Sequence, residues 1–296
     1  MARRLVALAL LVAFAGAARA QDKKDDFKWD PKKKAKPVEG YKAFDEGTDS
    51  MKQHVKAKLN GQALPDQKKE STTTFRVLEE VVKVTDGKKT EVKFKVEKWK
   101  QSEGEEDDTC LEGKTVVVKG TGADTKWELK EKDVELSDGA KAWIDKELAK
   151  KDEEDKEAFD KAGFPQKPIG DGETWDGDAK AFAELLFKDK FEIDPEKSSL
   201  KGTLSGVHVE DGIHCGKIEL KAKFAIKKSD QLTEGGTIEL TITADGSLEP
   251  DKREAGTMKM DMKLEAKSNQ ETEQGTANVT VKVDAKREGK QGPIKD

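Results

Sequence analysis

The feature that most constrains this chain is strict alternation of apolar and polar residues. Ile218, Leu220, Ala222, Phe224 and Ile226 fall on one side of a period of two, and Lys217, Glu219, Lys221 and Lys223 on the other. Only a strand with one buried and one wet face keeps that pattern over such a length. Ile238, Leu240 and Ile242 repeat it, as do Met258, Met260, Met262, Leu264 and Ala266. Ala277, Val279, Val281, Val283 and Ala285 form a fourth run. No helical pattern interrupts the four runs, so the expected arrangement is an antiparallel meander with a Lys/Glu/Thr outer face.

The front half has the same character. Val55, Ala57 and Leu59 alternate with lysines, and Phe75 and Val77 give way to Val81, Val82 and Val84. That change of phase predicts a bulge. Asp86-Gly87 and Asp211-Gly212 are hairpin signals, the first leading into Val92, Phe94 and Val96, the second joining Val207 and Val209 to the long strand. Val116 to Val118, and Trp127 with Leu129, supply two short strands. Helical spacing appears only in the middle. Ser137 is a candidate cap for Ala140, Trp143, Ile144 and Leu148, and a short helix is expected around Phe182, Leu185 and Leu186. The fold class expected is α+β, mainly β: one large curved antiparallel sheet of about ten strands with a central helical insertion near residues 137–187.

Charged residues make up 40% of the 296 and the hydrophobic set 34%, so the core must be lean and patterned. Residues 1–20 read as a signal peptide: Arg3-Arg4, then an apolar run over 5–15, then Ala18-Arg19-Ala20 with cleavage after Ala20. The run is too short to span a bilayer, and no transmembrane anchor is read elsewhere. Gln21 follows the cut, so no lipid anchor is expected, and the product belongs in the periplasm or outside the cell. Residues 21–40 are polar and read as a flexible leader, 41–286 as a single β-rich domain in two halves, and 287–296 as a flexible tail. Beyond residue 20, 53 basic residues face 61 acidic ones, a net of −8, with the signs interleaved. No basic stripe for nucleic acid emerges, and the charged outer faces favour a monomer.

Few constellations carry chemistry. Cys110 and Cys215 are the only cysteines, and in an exported chain an even pair suggests a disulfide. His208 and His214 flank the Asp211-Gly212 turn and would make a metal pair if they faced each other, the bland alternative being a hydrogen-bonded pair at a turn. Met258, Met260 and Met262 suit Cu(I), but alternation puts them on the core face, where methionine fills gaps. The acidic runs 103–108 and 152–155 lack the calcium-loop order, and Asp171, Asp176 and Asp178 read as solvated loop acids. Hydrolase and phosphate-loop motifs are absent, so neither a catalytic set, a metal set nor a cofactor is assigned.

Phe164-Pro165-Gln166-Lys167-Pro168-Ile169-Gly170-Asp171-Gly172-Glu173-Thr174-Trp175 resembles the proline then Gly-[Asp/Glu]-Thr-Trp linker of a group of exported β-rich bacterial proteins. The resemblance implies two strand-rich halves around the linker and no activity. A looser fold analogy is to the half-barrel lipoprotein carriers of the periplasm, whose sheet holds acyl chains. Two readings therefore compete. One is a structural or protein-binding module of the envelope with a filled core. The other is a carrier of a lipid or acyl chain, with Leu220, Phe224, Leu240, Met260 and Leu264 lining the cavity.

Overall fold

The computed structural model describes residues 27–149, 153–187, 191–228, 232–250, 255–272 and 274–294. The expected signal peptide and its cleavage point lie outside these residues. The front half holds β1 (Lys42–Leu59), β2 (Gln62–Ala63), β3 (Gln67–Thr85), β4 (Lys88–Glu103), β5 (Glu106–Asp108), β6 (Thr115–Lys119) and β7 (Lys126–Leu129). The middle holds α1 (Asp138–Trp143), a π-helical turn (Ile144–Leu148), α2 (Glu153–Gly163), β8 (Thr174–Asp176) and α3 (Ala179–Phe187). The back half is β9 (Ile193–Glu210), β10 (Ile213–Ile226), β11 (Gly235–Ser247), β12 (Gly256–Thr272) and β13 (Gly275–Pro293).

All thirteen strands belong to one open antiparallel sheet, in the order β7-β6-β4-β3-β1-β13-β12-β11-β10-β9-β8, with β2 on β1 and β5 on β4. The fold is thus α+β and mainly β, and the back half is the expected meander. The two halves meet where β1 pairs with β13, Ala43 opposite Pro293 through to Leu59 opposite Ala277. Asp86-Gly87 and Asp211-Gly212 adopt positive φ at both positions, as the two-residue hairpin turn requires, and so does Asn60-Gly61. The phase change in β3 falls at Val82, the extra residue between the pairs Val81–Val92 and Lys83–Glu91.

Two departures from the sequence reading concern the ends. The stretch read as a tail is strand: β13 runs on to Pro293, and Arg287 within it is buried. Part of the stretch read as a leader is docked. The amide and carbonyl of Trp29 exchange hydrogen bonds with those of Ile169 (2.8 and 3.0 Å), and the indole packs on Phe164 and Trp175.

The strand order dictates how the apolar face is covered. β7 and β8 are consecutive in sequence but stand at opposite edges of the sheet. The chain between them must cross ten strand spacings, about 48 Å measured along the sheet. The helical insertion is this crossing. Its first part packs on the front half, where Trp143 meets Phe75 and Trp99. Its second part packs on the back half, where Phe182 and Phe187 of α3 meet Phe224. One buried apolar cluster forms under each part. Both edge strands are very short, which limits pairing of the open sheet with other chains.

Candidate functional site

Between the two apolar clusters, at the seam of the halves, lies a buried knot of charge. Arg287 of β13 stands directly opposite Asp49 of β1 in the pairing. Its Nε is 3.4 Å from Asp49 Oδ1, and its Nη1 donates to Glu147 Oε2 at 2.9 Å. The guanidinium also lies over the Phe75 ring, 5.3 Å from the centroid. Glu147 comes from the π-helical turn, so the knot ties the crossing segment to the middle of the sheet. Arg287 and Glu147 are only 2% and 9% exposed. Lys146 adds a partly exposed cation 3.1 Å from Glu147.

The electrostatics are asymmetric. Burial is the largest influence on Asp49 and pushes its pKa up to about 6; Arg287 pulls it down and Glu147 pushes it up. For Arg287, burial works against the charge, but Glu147 and Asp49 outweigh it and hold its pKa above the usual arginine range. One guanidinium between two carboxylates thus pairs a permanent cation with one carboxyl, that of Asp49, whose pKa burial raises to about 6. No hydrolytic geometry follows, because Arg287 cannot accept a proton and occupies the space between the acids. The sequence reading missed all three residues, although parity held a clue. Arg287 continues the inward series Val281, Val283, Ala285, and Asp49 shares the phase of Met51.

The five proposed lining residues, Leu220, Phe224, Leu240, Met260 and Leu264, are brought together in the back-half cluster. None is more than 7% exposed. Met260 and Met262 are buried and Met258 is half-buried in the same cluster, which accounts for the methionine series as packing.

The Gly-Asp-Gly-Glu-Thr-Trp segment proves to be a clip between the crossing segment and the sheet edge. Gly170 N–H donates to Glu173 Oε2 (2.9 Å), and Gly172, at φ +77°, donates to the Leu204 carbonyl (2.8 Å). Asp171 Oδ1 accepts from Val207 N–H, and Asp178 Oδ1 accepts from Ala181 N–H at the start of α3. Trp175 packs against Gly202, where a Cβ would come within 2.0 Å of the indole, and its Nε1–H donates to the Gly163 carbonyl at 2.7 Å. Beside the clip is an open groove of about 490 Å³, walled by Phe164, Pro165, Ile169 and Trp175 and rimmed by Lys161 and Asp178.

The cysteine expectation is corrected. Cys110 and Cys215 form no disulfide. Cys110 lies beside the α1 cap, accepting from Ser137 N–H at 3.5 Å, and Cys215 is in β10. Cys110 lies between β5 and β6, both paired with β4, and β4 stands six spacings from β10, about 29 Å measured along the sheet, whereas a disulfide needs its Cα atoms within about 7 Å. Ser137 does cap α1, accepting from Ala140 N–H at 3.0 Å.

The histidine pairing is corrected too. His214 is opposite Val209 while His208 is opposite Cys215, so the two rings lie on different faces. His214 stacks on Phe27 (centroids 4.0 Å apart), and its Nδ1 is 2.6 Å from Glu249 Oε1. His208 instead joins Glu210 and Cys215, whose ligand atoms lie within 4.8 Å of one another. Among the described residues this is the one cluster with a metal-ligating character. The acidic run 152–155 begins outside the described residues. No described helix is long and apolar enough to cross a membrane.

No family model and no curated protein matches this chain.

Proposed function

We propose that this protein is an exported, non-enzymatic module of the cell envelope that works through its surface, as a structural or protein-binding unit. The observation that carries the reading is the burial of Leu220, Phe224, Leu240, Met260 and Leu264 in one cluster with α3 packed on Phe224. A carrier needs that face open to an acyl chain, whereas a filled core supports a scaffold. The resemblance of the linker to exported β-rich proteins supports the same reading, since its residues here serve architecture.

The carrier remains the second reading because of the groove over Phe164 and Trp175. Its volume of about 490 Å³ is within the range of small-ligand sites. Titrating a fluorescent long-chain fatty acid into the chain starting at Gln21 separates the two. The module reading expects no saturable binding at micromolar probe. Saturable binding that Trp175→Ala or Met260→Lys abolishes would establish the carrier instead.

A further inference from the structure

We propose that His208, Glu210 and Cys215 form a binding site for one divalent cation of the zinc class, at the tip of the β9–β10 hairpin. The three side chains offer one nitrogen, one carboxylate oxygen and one sulfur, all within 4.8 Å of one another. Two come from one strand at a spacing of two, which puts them on one face, and the third comes from directly across the ladder. A cross-strand pair with a neighbour two residues on is a rigid way to present three ligands, because the backbone hydrogen bonds fix their separation.

The backbone around the site carries a second observation. Between Cys215–His208 and Lys217–Ser205 the register shifts, with three steps along β9 against two along β10. Gly206, at φ +67°, lies in this bulge. Its carbonyl is 2.8 Å from His208 Nδ1. A carbonyl accepts only, so in the neutral ring that a metal requires Nδ1 carries the proton and Nε2 keeps its lone pair. Nε2 is the nitrogen that faces Glu210, 3.9 Å from Oε2. Holding one ring nitrogen with a backbone carbonyl while the other is left to ligate is how metal-binding histidines are usually oriented. Bulges are a recurrent means of re-aiming a side chain in this way.

Chemistry selects the cation. An imidazole, a carboxylate and a thiolate together match Zn²⁺, whereas calcium and magnesium take oxygen and Cu(I) favours sulfur. Binding would transfer the Cys215 thiol proton to solvent and form Zn–S, Zn–N and Zn–O bonds, the two anionic ligands balancing the 2+ charge. Cys215 is 2% exposed and closes one side of the site, while His208 is exposed, so the fourth position opens to water on the His208 side. Three ligands with an open fourth position is the pattern of a reactive or exchangeable site. This inference is independent of the module reading.

The test uses the chelator-stripped full chain with Co²⁺ as the spectroscopic probe, followed by displacement with Zn²⁺. One equivalent of Co²⁺ is expected to give a thiolate-to-cobalt charge-transfer band that Zn²⁺ abolishes. Cys215→Ser should remove the band and Cys110→Ser should leave it. Because Cys215 is buried, His208→Gln on the exposed side carries the test wherever the serine variant does not fold. It should weaken Zn²⁺ binding at least about tenfold with an unchanged far-ultraviolet spectrum. Absence of binding by the wild-type chain, cobalt bound without a thiolate band, or unchanged affinity in His208→Gln overturns the site.

Discussion

Arg287 and Asp49 face each other across the pairing of β1 with β13 that joins the two halves of the sheet, both buried, with Nε 3.4 Å from Oδ1. A favourable ion pair would lower the pKa of the acid. Here burial prevails, and Asp49 is pushed up to about 6 from 3.8. The better ion pair of Arg287 is with Glu147, at 2.9 Å.

The sign of the pH dependence follows. Below about pH 4 Asp49 is protonated in folded and unfolded chains alike, and the seam has its full stability. Between 4 and 6 only the folded chain keeps the proton, so stability falls as pH rises. By pH 7 the loss from this group is on the order of 3 kcal/mol. Asp49→Asn imitates the neutral form. It is expected to stabilise the chain at pH 8 by about 1–3 kcal/mol and to change little at pH 4.5. Urea unfolding at the two pH values checks this; equal effects at both would contradict it.

Glu147 should behave in the opposite way. Glu147→Leu leaves the buried guanidinium without its closest partner and is expected to cost about 3–5 kcal/mol. Glu147→Gln should also move the Asp49 midpoint below 6, because the Glu147 charge helps to hold it up. The chemical shift of the Asp49 carboxyl against pH reads that displacement directly.

At the far edge, Gly202→Ala would drive a methyl into the Trp175 indole, 2.0 Å from two ring carbons. Loss of at least about 2–3 kcal/mol is expected, together with a red shift of Trp175 emission as the clip opens. Restored stability in the double variant with Trp175→Leu would confirm the contact as the cause.

Trp29 fastens the segment ahead of β1 to the linker. Trp29→Ala should cost about 3–5 kcal/mol if the dock is part of the cooperative fold. Faster proteolysis within residues 30–40, read by mass mapping, is the accompanying result. Unchanged protection would mean that the backbone bridge to Ile169 suffices.

Alternation made the meander legible, because each run keeps one parity from end to end. Asp-Gly turns fixed two of the hairpins, and Ser137 announced its helix. The order of the strands was not legible, since nothing local says that β1 will meet β13. That pairing is what buries Arg287, and without it a polar C-terminus reads as a tail. The same order explains the missed cysteines: both precede apolar runs, but the sheet separates them by several strands. Parity would have sorted the histidines. His208 and His214 lie on either side of a two-residue turn, and an even interval across it puts them one register apart and on opposite faces. Chemical identity of a ligand or partner is not encoded in such patterns, because a filled strand face and a hollow one share the same alternation.

Whether the core is filled, with no acyl chain in it, is decided by native mass spectrometry of the chain expressed with residues 1–20 and recovered without detergent, followed by the denatured mass. The expected result is the bare polypeptide, or the polypeptide with one metal ion, and two cysteine thiols in the denatured mass. A native mass exceeding the denatured one by that of a fatty acid or phospholipid would contradict it and make the protein a carrier.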